Sequence, residues 1–221
     1  MEFMPKRIFV TGGTGYMGSR LIPRLLSAGH DVAALTRPGS ASRLPKGCHP
    51  IIGDALDGAS YAAHVQPTDA FVHLVGVSHP SPAKAAQFEA IDKCSALQAF
   101  GVAKQSGVAH FVYIRVAHPA PAMRAYIAAR SACEQALIES GMHATILRPW
   151  YVLGPGHWWP YALLPFYKMA ELVPSTRQSA LRLGLVTISQ MINALAWSVE
   201  NPGNGVRVIE VPQIKQLGTR R

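Results

Sequence analysis

The chain is predicted to fold as an α/β domain built on a doubly wound parallel sheet. Three observations predict it. Short apolar, β-branched runs alternate with longer helical stretches over the first two-thirds of the chain. Those runs are continuously apolar rather than alternating, as expected of strands covered on both faces. The helical stretches end on Gly29, Gly107 and Gly141, each followed shortly by the next apolar run, where glycine serves as the left-handed residue that closes a helix. Repetition of strand and helix at this spacing gives parallel strands joined by right-handed crossovers.

In chain order, strands are expected at Arg7–Thr11, Asp31–Thr36, Pro50–Gly53, Ala70–Val75, His110–Val116 and Ala144–Arg148. Helices are expected at about Met17–Ala28, Gly58–His64, Ala83–Ser106 and Met123–Ser140. After Pro149 the pattern changes. Residues 150–180 are rich in Pro, Gly and aromatics, with a short helix expected around Tyr161–Glu171. Leu183–Val186, a Thr187 N-cap, a helix to about Val199 and a last strand at Arg207–Val211 follow. The reading is one domain over residues 1–221, with residues 150–221 as a small cap over the carboxyl edge of the sheet.

At 221 residues, 49% hydrophobic and 15% charged, the chain has ample apolar surface to bury, which excludes disorder as its main state. Its net charge of +9 would attract nucleic acid, anionic membrane or phosphorylated small molecules. The basic residues are spread, however: seven against four acidic in residues 1–57, seven against five in 58–149, and seven against three in 150–221. Nucleic-acid binding wants a basic stripe, so no nucleic-acid partner is expected. Cys48, Cys94 and Cys133 stand far apart, and the nine histidines show no ligand spacing; buried reduced thiols and no metal are expected. No apolar run approaches the roughly 18 residues needed to span a bilayer, and no signal-peptide core opens the chain. A cytoplasmic protein without stable membrane insertion is expected.

The strongest motif is Thr11-Gly12-Gly13-Thr14-Gly15-Tyr16-Met17-Gly18, between the first strand and the first helix. Gly12 permits the tight turn, Gly15 lets the backbone approach a pyrophosphate, and Gly18 lets helix and strand pack closely. The helix N-terminus adds N–H donors and partial positive charge. This is a dinucleotide site. The second strand then ends in Thr36-Arg37-Pro38-Gly39-Ser40, without the acid that would hold a free ribose 2′-hydroxyl. Arg37 presents a planar fork suited to a 2′-phosphate, with Ser40, Ser42 and Arg43 as further donors, so NADP (NADPH) is favoured over NAD. Arg37 as a solvated loop residue is the alternative. Asp54, after the third strand, reads either as acceptor for the adenine amine or as an ordinary helix N-cap.

These residues, with Leu147-Arg148-Pro149-Trp150-Tyr151-Val152-Leu153-Gly154 after the sixth strand, resemble the atypical branch of the short-chain dehydrogenase/reductase superfamily. That branch holds NmrA-like and nucleoside-sugar-epimerase-like NAD(P)-binding proteins of Rossmann fold. The resemblance implies that the backbone of Pro149, Trp150, Tyr151 and Val152 lies along the nicotinamide; Val75 and Gly76, at the end of the fourth strand, are also expected to bind the cofactor. It further implies a Ser–Tyr–Lys set that reduces a carbonyl or oxidises an alcohol. Here Tyr126 and Arg130 hold the Tyr and Lys positions, one helical turn apart and so on one face. Arg130 would still lower the Tyr126 pKa but cannot relay a proton, because arginine does not deprotonate in proteins; an ion pair with Glu134 is its alternative role. Arg115 stands where the family keeps Ser, either polarising a carbonyl as an oxyanion-type donor or reaching solvent or a cofactor phosphate. Ser78-His79-Pro80-Ser81-Pro82 and Ala117-His118-Pro119-Ala120-Pro121 echo each other after adjacent strands. His118 is thereby a substitute acid, or both loops are turns with surface histidines. The aromatic run His157–Tyr167 reads as a pocket wall, as core, or as the face of a homodimer.

Two functions follow. One is an NADP(H)-dependent oxidoreductase of the atypical short-chain type, acting on a small carbonyl or alcohol. The other is a non-catalytic NAD(P)H-binding sensor or interaction protein with a degenerate site.

Overall fold

The computed structural model describes residues 4–77, 81–116, 124–156, 165, 169, 172 and 184–219. The apolar runs form β1 (Arg7–Thr11), β2 (Asp31–Thr36), β3 (His49–Ile52), β4 (Ala70–His73), β5 (His110–Ile114) and β6 (Ala144–Arg148). Two short strands, β7 (Val152–Leu153) and β8 (Val186–Thr187), pair with each other, and β9 (Val206–Glu210) lies beside β6. Among the described residues the main sheet has seven parallel strands in the order β3-β2-β1-β4-β5-β6-β9. The order reverses between β1 and β4, so the connections leaving their carboxyl ends diverge and open a crevice there.

The helices are α1 (Gly18–Ser27), α2 (Ala85–Gln87), α3 (Cys94–Gln105), α4 (Arg124–Glu139), α5 (Ile188–Glu200) and α6 (Val211–Gly218). Successive strand residues point to opposite faces, and here the two faces differ in kind. Val10, Val72 and Val112 meet Leu21, Ile22 and Leu25 of α1 and Met191 and Leu195 of α5. Phe9, Phe71 and Phe111 face α3 and α4, with Phe9–Phe71 and Phe71–Phe111 centroids 5.1 and 5.0 Å apart. Pro50 sits in β3, an edge strand, where its missing N–H does no harm.

Three expectations are corrected. Gly58–His64 is not an α-helix but two 3₁₀ turns, Gly58–Ser60 and Ala62–His64, the first capped by the Asp57 side chain accepting from Ala59 N–H. The single helix expected over Ala83–Ser106 is divided, with a π-helical stretch Phe88–Lys93 between α2 and α3. Residues 184–219, assigned from sequence to the cap, instead extend the main body. β9 is the sheet's edge strand, and the buried Leu195, Val199 and Ile214 complete the core layer beside α1. Thr187 caps α5 as expected, accepting from Gln190 N–H at 3.2 Å, while the Gln190 side chain accepts from Thr187 N–H at 2.9 Å. Helix α6 gives no signal in the sequence because the last strand residue, Glu210, is its N-cap and it contains Pro212.

Candidate cofactor and active site

The glycine turn is built by close approach of backbones. Gly12 has φ +78°, and a Cβ there would stand 2.8 Å from the Leu74 carbonyl carbon beyond β4. A Cβ on Gly18 would collide with the Gly12 carbonyl oxygen and Gly13, which is how α1 starts flush against the end of β1. Gly15 N–H closes the turn on the Gly12 carbonyl at 3.0 Å. No side chain caps α1 and no acid lies in its first turn, so its positive end remains available to an anion.

Over this turn lies a cleft of about 370 Å³ lined by Gly12, Thr14 and Gly15, by Arg37 and Ser40 after β2, by Gly53 and Asp54 after β3, and by Val75, Gly76 and Ile91. Such an opening, walled by glycine backbone at the switch point, fits the adenosine and pyrophosphate half of a dinucleotide. Arg37 is exposed at one end. Asp54 accepts from Leu56 N–H at 2.9 Å, so it stabilises its own turn as well as lining the cleft. Gly13, Met17 and Gly18 lie behind the turn, Gly13 packing on Ala34, Ile22 and Leu44. Tyr16 turns away toward the end of the sheet. Its hydroxyl occupies the space a Cβ on Gly154 would need, and the Arg20 guanidinium lies 4.2 Å over its ring. Pro149, Trp150, Tyr151 and Val152 follow β6 and are not among the residues lining this cleft; Trp150 and Tyr151 pack edge to face.

At the other end of the cleft the charges are already paired. Arg130 is buried. It forms an ion pair with Asp92, donates to the Ile114 carbonyl at 2.9 Å, and lies 5.5 Å from the Tyr126 ring centroid. Its partner is thus Asp92, not Glu134. A Cβ on Gly76 would overlap the Arg130 guanidinium, so that glycine is required by the arginine as well as by the cleft. Burial works against the Arg130 charge, but Tyr126, Tyr113 and Asp92 outweigh it and hold the pKa above its ordinary value. Tyr126 is half-buried and packs on Phe88 at 4.9 Å.

Arg115 is engaged elsewhere. Its Nε lies 2.7 Å from Glu134, and Glu134 also pairs with Arg148, which reaches Glu210 at 2.8 Å. This chain, buried at Arg115 and Glu134 and partly exposed at Arg148 and Glu210, ties β5, α4, β6 and β9 together. His79, His118 and the aromatic run from His157 lie outside the described residues, apart from exposed Pro165. Among the described residues no group of three His, Cys, Asp or Glu side chains is placed to hold a metal, and no helix is long and apolar enough to cross a membrane.

Sequence reasoning missed Asp92, the residue on which Arg130 depends. A signal existed: Phe88, Asp92, Ala96, Ala99 and Ala103 form one buried helical stripe, and a carboxylate inside an apolar stripe demands a partner. It also missed buried His73, within hydrogen-bond distance of Thr11.

Comparison with known proteins agrees with this geometry. A family model described as NAD(P)H-binding matches residues 12–155. Over 75 residues the chain is 33% identical to a 3-beta-hydroxysteroid dehydrogenase of Mycolicibacterium neoaurum, covering 32% of this chain and 19% of that one. The chain therefore spans only about a fifth of that relative's length. Over nearly the full chain the fold matches the Bordetella bronchiseptica enzyme WbmH, solved in complex with NAD+, with a TM-score of 0.71, 22% identity and coverage of 97% and 80% of the two chains. A UDP-glucose 4-epimerase of Thermotoga maritima matches with a TM-score of 0.68 at 18% identity, covering 96% and 81%.

Proposed function

We propose, since this chain belongs to the NAD(P)H-binding family, that it is an NADP(H)-dependent oxidoreductase acting on a small carbonyl or alcohol. The observation that carries the proposal is the cleft itself: it runs from an exposed arginine after β2, over a glycine turn, to a glycine backed by the Arg130–Tyr126 pair. Preference for NADP rests on Arg37 and Ser40 lining the cleft where no carboxylate of β2 does. The turn and the α1 N-terminus would hold the pyrophosphate, and Arg37 the 2′-phosphate.

When bound, the nicotinamide supplies or accepts a hydride. The chain's own part is proton transfer and orientation. In reduction, the Tyr126 hydroxyl gives its proton to the carbonyl oxygen, leaving a phenolate that regains a proton from solvent. Arg130 lies near the face of the Tyr126 ring and keeps its own proton throughout, so it orients the site without relaying protons. Arg115, paired with Glu134, stiffens the end of β5 beside the site.

The second reading, a non-catalytic NAD(P)H-binding protein, draws on one observation: the Arg130 guanidinium is already committed to Asp92 and the Ile114 carbonyl. The two readings separate on Tyr126→Phe. With NADPH and a panel of aldehydes, ketones and quinones, the oxidoreductase reading expects turnover that falls at least about 100-fold in the variant, with NADPH affinity retained. Tight NADPH binding without turnover in either protein overturns it in favour of the second.

A further inference from the structure

The carboxyl end of β4 carries a histidine with no role in the proton transfer above. His73 is buried and sits opposite Thr11 in the β1–β4 register. Its Nδ1 lies 2.8 Å from the Thr11 hydroxyl and its Nε2 3.5 Å from the Ser95 hydroxyl of α3. Ser95 in turn donates to the Asp92 backbone carbonyl at 3.3 Å. The direction of each bond can be deduced. A serine has one hydroxyl proton; with that proton on the Asp92 carbonyl, Ser95 can only accept from His73 Nε2–H. Burial and the nearby Arg130 charge keep the imidazole neutral, so with Nε2 protonated Nδ1 is a bare acceptor and Thr11 donates to it. The Tyr113 ring, 6.1 Å away, covers it from β5.

We infer that His73 is a positioning residue, locking Thr11, the last residue before the glycine turn, to the helical segment whose Asp92 holds Arg130. One buried side chain thus fixes the phosphate end of the cleft relative to its Arg130–Tyr126 end. The inference rests on the turn being the NAD(P)H site, and its test has one arm independent of that.

The independent arm is ¹⁵N NMR of the histidine side chains at neutral pH, assigned by loss of the His73 signal in His73→Asn. A neutral Nε2–H tautomer is expected; an Nδ1–H tautomer or an imidazolium overturns the proposal. The second arm is NADPH titration by fluorescence. His73→Leu and Thr11→Val should each weaken binding about tenfold, and the double variant no more than either alone, because each breaks the same link between Thr11 and the helical segment. His73→Asn, whose amide oxygen replaces Nδ1 as acceptor, should recover binding to within about threefold of the native protein. Unchanged binding in a folded His73→Leu, or effects that simply add, overturns the proposal. Should His73→Leu not fold, Thr11→Val and His73→Asn decide by the same criteria: unchanged binding in Thr11→Val, or no recovery in His73→Asn, overturns it. If the native protein binds neither NADPH nor NADH, the cofactor reading falls while the tautomer still reports on the hydrogen-bond chain.

Discussion

Arg37 lines one end of the cleft, Arg130 lies behind Gly76 at the other, and the two are held in opposite ways. Arg37 is exposed at the end of β2, in a loop where glycine and proline shape the backbone. Arg130 is buried in α4, paired with Asp92 and bonded to a backbone carbonyl. An exposed guanidinium can engage a phosphate without first breaking an internal bond, but solvent screens it. A buried one is preorganised and strongly coupled to its neighbours, at the cost of being unable to leave them. A count of basic residues therefore says little here: the same side chain is exposed along the cleft in one place and part of the scaffold in the other.

The sharpest way to break that contrast is to remove Asp92. Asp92→Ala leaves Arg130 buried without its anion and should destabilise the protein by about 3–5 kcal/mol, measured by urea denaturation. The double change Asp92→Leu with Arg130→Met should recover much of that loss. Next comes Gly76→Ala, whose methyl group must displace the Arg130 guanidinium; about 1–3 kcal/mol of stability should go, with Tyr126-dependent turnover falling alongside. The buried interior of the sheet should also be acid-sensitive. Burial first, and then the charges of Arg130 and Arg207 respectively, push His73 down to about 3 and His110 down to about 4. Both folded values lie below the unfolded value near 6.5, so the unfolded chain binds more protons between them. Stability is fully present above about pH 6.5 and falls as the pH drops toward 4 and then 3; chemical denaturation across that range should show the slope, and His73→Asn should flatten it. Smallest for the fold is Arg37→Ala: stability should move by less than about 0.5 kcal/mol, while NADPH binding weakens about tenfold and NADH binding stays within about twofold. Equal losses for both cofactors would sink the 2′-phosphate assignment.

Much of the fold was legible in residue order alone. The strands β1 to β6 lie within two residues of their expected ends, because a strand buried on both faces announces itself as an uninterrupted apolar run. The glycine turn was legible because its glycines answer to a local need, φ +78° at Gly12 and closeness of α1 to β1 at Gly18. The break in the long helix was not legible. Residues 88–93 carry ordinary helix formers, and the π-helical winding brings Phe88 onto Tyr126 and Asp92 onto Arg130, contacts made by a helix 38 residues further along the chain. Likewise β9 and α6 looked like a cap because nothing in Arg207–Val211 says which sheet edge it will join.

Residue order alone settles the class of fold, the place of the glycine turn and the absence of an acid after β2, since each is written in neighbouring residues and in the geometry one or two peptide units can adopt. Only the tertiary structure decided what the arginines do. Arg130 found Asp92, Arg115 found Glu134, and Arg148 joined Glu134 to Glu210. A buried charge takes whichever opposite charge the packing of distant elements brings within hydrogen-bond reach, and that choice is made by the sheet and its helical layers rather than by spacing along the chain.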